Sequence, residues 1–319
     1  MTLLKVTNIN KSGADGFVLQ DINFSQNEFQ KIAIAGETGS GKSTLLKIVA
    51  GLVQPDLGDV HFNTEKVKGP DEQLVAGHAS IDYLSQHFDL QKSLRVEQVL
   101  EYANHISTEE ALTLYQICRI DHLLHRRTDQ LSGGEKQRIA IARLLIGKPK
   151  LLLLDEPFSN LDMVLKAILK SVFEDICEKL HITCMLVSHD PMDTLSWADE
   201  IIVLRDGKIV QQGAPRFIYQ QPVDEYVAGL FGTYNVLSPA LLKAMDVDGK
   251  NKIIARPEDF RIVKKRSECR WQITDVDFLG NLYEIKLKYR NHLVRVTTTR
   301  ENFKPGDKVE LILRGRRIY

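Results

Sequence analysis

The octapeptide Gly36-Glu37-Thr38-Gly39-Ser40-Gly41-Lys42-Ser43 constrains this chain more than any other feature, because it satisfies G-x-x-x-x-G-K-[ST]. It follows a short apolar run, Lys31-Ile32-Ala33-Ile34-Ala35. It precedes residues 44–51, where Leu45, Leu46, Ile48 and Val49 recur as on a helix. Strand, glycine loop and helix in that order open a parallel α/β unit. Glycines let successive backbone N–H groups turn inward as an anion-binding nest. The helix beginning near Lys42 points its partial positive end at the same place. Lys42 would reach the β- and γ-phosphates of a nucleotide, and Ser43 Oγ would ligate Mg²⁺. The candidate phosphate-binding run is therefore Gly36, Glu37, Thr38, Gly39, Ser40, Gly41, Lys42, Ser43 and Thr44. Such a loop specifies an NTPase or kinase and no more.

Two further segments narrow the choice. Leu151-Leu152-Leu153-Leu154-Asp155-Glu156-Pro157 reads as a strand buried on both faces and ending in two acids. A strand tip places Asp155 where it can hold the hydration shell of Mg²⁺. Glu156, one residue on, would polarise an attacking water as general base. The plainer alternative is an acidic strand end that caps a neighbouring helix. Upstream, Leu131-Ser132-Gly133-Gly134-Glu135-Lys136-Gln137-Arg138 opens a helix with free N–H groups and a hydroxyl, which suit a γ-phosphate.

That last segment resembles the signature motif of ABC ATPases, and it precedes the Asp-Glu strand by the family's usual interval. The resemblance covers essentially all of residues 1–232. It implies an α/β P-loop NTPase, the ABC ATPase cassette over residues 1–235, with a helical subdomain at about residues 87–145. It implies ATP and Mg²⁺ as cofactors. In the family, Ser132, Gly133, Gly134 and Glu135 contact a nucleotide held by the other subunit's phosphate loop, so that two cassettes close head to tail. Gln86 matches the loop glutamine that contacts Mg²⁺ and the water and senses a transmembrane partner. Ser159-Asn160-Leu161-Asp162 resembles the dimer-interface loop, which adds Asp162 to the nucleotide-facing set. His189, in Leu186-Val187-Ser188-His189-Asp190, matches the switch histidine that bridges the γ-phosphate and Glu156. The implied catalytic set is Glu156, His189, Lys42 and Gln86; the implied metal set is Ser43, Gln86 and Asp155. One departure stands out. The family places an aromatic residue near position 13 to stack on adenine, and this chain has Ser12-Gly13-Ala14-Asp15-Gly16. Phe17 either substitutes by a looped-out path or is a core strand residue.

Beyond Gly232 the texture changes. Tyr283, Ile285, Leu287 and Tyr289 alternate with Glu284, Lys286 and Lys288, as on a half-buried antiparallel strand. Asn291-His292 reads as a turn before another alternating run, residues 293–299, and Pro305-Gly306-Asp307 leads into residues 309–313. This places residues 236–319 in a second, small all-β domain. The stretch from Asp206 to Pro215, with Ile218-Tyr219-Gln220-Gln221-Pro222 and Tyr226-Val227-Ala228-Gly229-Leu230-Phe231-Gly232, resembles the tail of importer cassettes for sugars, polyamines, ferric iron and oxyanions. In that maltose-type group a β-barrel-like regulatory domain follows. Ala255-Arg256-Pro257-Glu258-Asp259 matches its opening motif, so the second domain is expected to be OB/TOBE-like. At about 85 residues it is shorter than in those relatives.

Charge divides along the same line. From Val236 onward, 19 Lys and Arg face 11 Asp and Glu, a balance of +8 that the first 235 residues offset with −8. Solvated strand faces account for this pattern; an anionic effector is the alternative. No apolar run reaches the roughly 18 residues needed to span a bilayer, and the N-terminus offers no signal peptide. Cys118, Cys177, Cys184 and Cys269 have no metal-ligand spacing and read as reduced thiols of a cytoplasmic protein. The expected function is the ATP-hydrolysing subunit of a membrane ABC importer at the cytoplasmic face. The expected partners are a second copy or a paralogous cassette, permease subunits and, indirectly, an extracytoplasmic solute-binding protein. A nucleic-acid partner is not expected. Two other classes remain as alternatives: a soluble ABC ATPase acting on nucleic acid through the basic domain, and an exporter ATPase subunit.

Overall fold

The computed structural model describes residues 1–13, 16–85, 90–91, 93–102, 106–159, 161–264 and 269–314, without the side chain of Phe17. The chain divides into two compact units, Met1–Ile218 and Tyr219–Tyr319. The first opens with β1 (Thr2–Gly13), β2 (Gly16–Asn27) and β3 (Lys31–Ala35), then α1 (Lys42–Val49), β4 (Leu57–Phe62), β5 (Glu65–Lys66) and β6 (Ile81–Leu84). Helices α2 (Val96–Glu101), α3 (Thr108–Ile117) and α4 (Gly133–Leu145) lead to β7 (Leu151–Asp155). There follow α5 (Met163–Lys179), β8 (Thr183–Val187), α6 (Pro191–Leu195), β9 (Glu200–Arg205) and β10 (Lys208–Gly213).

Two sheets result. An antiparallel sheet runs β2-β1-β4-β5, and a six-stranded sheet runs β10-β9-β3-β8-β7-β6, parallel except at β10. The four-leucine run explains why the second sheet is central. Strand side chains alternate between faces, so Leu151 and Leu153 pack with Met185 and Val187 into a core shared with β1, β2 and α1. Leu152 and Leu154 pack instead with Leu186 and the apolar faces of α4 and α5. A strand covered on both sides needs continuous apolar sequence. The antiparallel sheet shows the other pattern: Leu4 and Val6 pair with Phe62 and Val60 and are buried, while Lys5 between them is exposed. Buried Gln26 ties the sheets together by donating to Cys184 O at 2.9 Å and to Gln30 O at 2.8 Å.

The second unit starts within α7 (Pro215–Gln220) and contains α8 (Glu225–Leu230), β11 (Asn235–Leu237), α9 (Pro239–Ala244) and β12 (Ile253–Ala255). Its main sheet is formed by β13 (Phe260–Val263), β14 (Trp271–Phe278), β15 (Tyr283–Tyr289), β16 (His292–Thr298) and β17 (Lys308–Leu313). The strand order is β13-β17-β14-β15-β16, antiparallel throughout. Ile285 and Leu287 pair with Val296 and Val294 on the buried face, over Trp271. The hairpin turn falls at Arg290-Asn291, one residue ahead of the expected Asn291-His292; Arg290 takes the left-handed conformation at φ 52° and His292 already pairs with Tyr289.

The division also lies upstream of the 235/236 boundary expected from composition, and Arg256 supplies the reason. Its side chain, 1% exposed, donates to Tyr219 O at 3.1 Å, Ala228 O at 2.8 Å, Gly232 O at 3.0 Å and Thr233 O at 3.3 Å. The guanidinium also stacks 4.2 Å from the Tyr219 ring. The first two carbonyls lie in the last turns of α7 and α8, where helices leave acceptors unsatisfied, and the other two follow α8. The resemblance to an importer tail groups these helices with the segment before them, whereas Arg256 binds them to the segment that follows. Arg256→Ala should destabilise the second unit by about 3–5 kcal/mol, since buried carbonyls lose a charged donor. A urea titration measures this, with Arg256→Lys recovering part of the loss because it lacks the planar fork. An unchanged midpoint would contradict the assignment.

Candidate functional site

β3, β8 and β7 are neighbours, with Ile34 in register with Val187 and Val187 with Asp155. Ligands of open α/β sheets bind outside the carboxyl ends of such strands. The glycine loop follows β3, Asp155 and Glu156 end β7, and His189 follows β8. Main-chain bonds fix these ends to one another: Ser188 N donates to Ile34 O at 3.4 Å and Glu156 N to Val187 O at 3.0 Å.

Gly41 caps α1 in the left-handed conformation at φ 99°. A Cβ there would lie 2.6 Å from Val18 O and 2.7 Å from Leu19 Cδ2, so the loop can pass β2 only with glycine. Lys42 folds its ammonium into the loop, donating to Gly36 O at 2.8 Å and Glu37 O at 2.7 Å. Burial lowers its pKa, against the opposing pull of Glu156, Asp155 and Glu37. Ser43 Oγ donates to Asp155 Oδ1 at 2.9 Å, and Tyr83 OH donates to Asp155 Oδ2 at 2.7 Å. Burial, with the adjacent Asp155, raises the Tyr83 pKa and keeps the phenol a donor.

Glu156 takes φ 50°, a conformation uncommon for a residue with a Cβ. Its carbonyl accepts from Ser159 Oγ at 2.8 Å, and its side chain faces His189, with Nδ1 2.8 Å from Oε2. The His189 side chain is 66% exposed and that of Glu156 only 15%, so the pair sits at a mouth. A cavity of about 410 Å³ lies there, lined by Val18, Thr38, Gly39, Gly41, Lys42, Ser43, Thr44, Glu156 and His189. It presents a cation, loop N–H groups and a carboxylate–imidazole pair to one space, as phosphoryl chemistry requires.

Ser132, Gly133, Gly134, Glu135 and Asp162 do not line this cavity. They sit at the starts of α4 and α5. Ser132 and Glu135 form a reciprocal cap, Ser132 N donating to Glu135 Oε2 at 2.8 Å and Glu135 N to Ser132 Oγ at 3.3 Å. Burial pushes the Glu135 carboxyl up, but the Ser132 bonds and the charges of Arg126 and Arg138 outweigh it and lower its pKa. A Cβ at exposed Gly133 would meet no atom within 4 Å among the described residues, so no contact with them demands glycine there. Asp162 Oδ1 accepts from Val164 N and Leu165 N, both at 2.9 Å. Gln86, Asn160 and the Phe17 side chain lie outside the described residues. Sequence reasoning passed over Tyr83, a polar-tipped residue on β6 beside β7, and the charged group Lys166, Lys170 and Asp193 near His189.

Gly41→Ala should lower stability by roughly 1–3 kcal/mol, from left-handed strain and the collision with Val18 O, and weaken ATP binding with it. Thermal unfolding with and without ATP reads both effects. Unchanged stability would mean that the close approach to β2 is absent.

The family model described as ABC transporter matches residues 19–159. The spermidine/putrescine import ATP-binding protein PotA of Clostridium acetobutylicum is 30% identical over 97% of this chain and 93% of its own length. The molybdate/tungstate import ATP-binding protein WtpC of Pyrococcus abyssi is 32% identical over 99% and 97%. Among solved structures, cbiO1 of Clostridium perfringens, part of the ABC transporter complex cbiONQ, is similar at 27% identity and a TM-score of 0.60, covering 68% of this chain and 90% of that one. An ATP-binding cassette in a dimeric, post-hydrolysis state bound to ADP and Pi is similar at 28% identity and a TM-score of 0.58, covering 67% and 99%.

Proposed function

The chain belongs to the ABC transporter family of ATP-binding proteins, and on that premise we propose how its residues power a membrane importer. It is an ATPase subunit of such a transporter. Relatives at 30–32% identity over at least 93% of their own length are named for import of polyamines, ferric ions, sulfate and molybdate, and their similarity extends through the second unit. The observation that carries the mechanism is the 2.8 Å contact of Glu156 with His189 at the mouth of the phosphate-loop cavity.

Lys42 and the N–H groups of residues 36–44 bind the β- and γ-phosphates of ATP. Glu156 takes the proton of the attacking water. His189 holds that carboxylate through Nδ1, which leaves Nε2 for the γ-phosphate. Ser43 Oγ and Asp155 Oδ1, hard oxygen donors 2.9 Å apart beside the cavity, suit Mg²⁺, with Gln86 as a third member on sequence grounds. The ion, when bound, neutralises charge on the phosphates. Tyr83 and Ser43 hold both oxygens of Asp155, which fixes its orientation. Ser132–Glu135 and Asp162 face the nucleotide of a second cassette; the open space at Gly133 supports such an approach.

Permease subunits dock beside β6, the strand that runs toward Gln86. A cavity of about 590 Å³ opens there, lined by Ala50, Leu52, Val75, Gly77, His78 and Tyr83 among others, and Leu74 and Val75 stand exposed next to it. An apolar rim of this kind suits a partner segment. No helix among the described residues is long and apolar enough to cross a membrane, so attachment runs through the permease, at the cytoplasmic face, with an extracytoplasmic binding protein delivering the solute.

Glu156→Gln should keep ATP affinity and lower turnover by about 10²–10⁴-fold, the range of a positioned general base. Lys42→Ala should instead weaken nucleotide binding itself. Steady-state hydrolysis and nucleotide titration separate the two; near-wild-type turnover in Glu156→Gln would remove Glu156 from its role.

A further inference from the structure

Asp193 lies in the first turn of α6, four residues after His189, and is 1% exposed. A carboxylate so deeply buried requires partners. Its Oδ1 pairs with Lys166 Nζ at 2.8 Å and Lys170 Nζ at 3.0 Å, both from α5. Its Oδ2 accepts from Ser188 Oγ at 3.1 Å. Ser188 Oγ in turn accepts from Asp190 N at 3.1 Å, and Lys166 also pairs with Asp190. Both neighbours of His189 in the chain are thus fastened to one buried carboxylate and one helix.

The same helix begins at Asp162, whose carbonyl accepts from Lys166 N at 2.9 Å. Lys166 therefore joins the start of α5 to the turn that carries His189. Burial pulls its pKa down, and the carboxylates of Asp190 and Asp193 more than reverse this, so the ammonium stays charged. His189 itself is exposed and holds only Glu156 among these groups. An exposed imidazole gains fixed aim from its backbone turn, and a fixed aim is what a hydrolytic geometry needs.

We propose that Asp193 is a positioning residue for ATP hydrolysis: clamped by Lys166 and Lys170 and bonded to Ser188, it aims His189 at Glu156 and links that aim to the Asp162 end of α5. The proposal rests on the reading of His189 and Glu156 given above. It assigns Asp193 no contact with nucleotide.

The test compares His189→Ala, Asp193→Asn, Asp193→Glu and the His189→Ala/Asp193→Asn double variant in the full chain, with kcat, ATP affinity and melting temperature measured for each. Asp193→Asn should lower kcat by about tenfold or more with ATP affinity changed less than about twofold, because only an interaction of the hydrolytic step is lost. Asp193→Glu should recover a large part of that loss. The double variant should be within about twofold of His189→Ala alone, since residues acting through one another are non-additive. Ser188→Ala removes one hydroxyl only and serves if Asp193→Asn does not fold; it should lower kcat by about threefold or more, and not on the His189→Ala background. Slow hydrolysis in His189→Ala with wild-type turnover in Asp193→Asn or Ser188→Ala would overturn the positioning role alone. So would losses that multiply in the double variant. Wild-type turnover in His189→Ala would overturn both the role of His189 and the proposal built on it.

Discussion

The carboxyl ends of three adjacent parallel strands hold everything else in place. β3, β8 and β7 are covered on both faces, so they have no soft direction in which to move. The loop of Gly36–Ser43, the acids of Asp155–Glu156 and the turn of His189 inherit that rigidity. The site then accepts costs that a loose scaffold would relax. Glu156 keeps a left-handed backbone at φ 50°, and Lys42 keeps an ammonium among loop carbonyls. Such local costs persist where the surroundings over-determine them. The pair of half-buried Lys166 with buried Asp193 adds a further anchor, tying α5 to α6.

Much of this was legible because certain steps admit few residues. Only glycine passes Val18 at position 41, and only a continuous apolar run fills a strand such as β7, so the loop and the Asp-Glu pair stand out from the letters alone. The order β3-β8-β7 was not legible from spacing, because β3 ends at Ala35 and β8 starts only at Thr183, and neighbourhood in a sheet is a tertiary fact. Tyr83 escaped for that reason: its bond to Asp155 exists only because β6 lies beside β7. Asp193 escaped because an acid near the start of a short helix looks like ordinary capping. In the second unit, Arg256 was visible as part of a motif, but its reach to four carbonyls of α7, α8 and the following turn was not. The turn before β16 slipped by one residue because Arg290, rather than a residue with an ordinary turn preference, takes the left-handed conformation.

The two halves of the nucleotide machinery face different spaces. The phosphate loop, Glu156 and His189 share one cavity, with Asp155 bonded to Ser43 beside it, while the capped start of α4 and the Asp162 turn do not line it. Gly133 opens α4 exposed, and a Cβ there would meet no atom among the described residues, which leaves room for a close approach from outside. In the proposed mechanism a second cassette presenting its bound ATP makes that approach. Closure of two copies is there the mechanical output, and hydrolysis through Glu156 and His189 its release.

The most direct test is the solution mass of the Glu156→Gln chain by light scattering in ATP and Mg²⁺, in ADP, and again with Ser132→Arg added. A dimer in ATP that reverts to monomer in ADP, and is lost on Ser132→Arg, is the predicted result. A monomer under all three conditions, or a dimer indifferent to nucleotide and to Ser132, would contradict a site completed by the signature segment of a second copy.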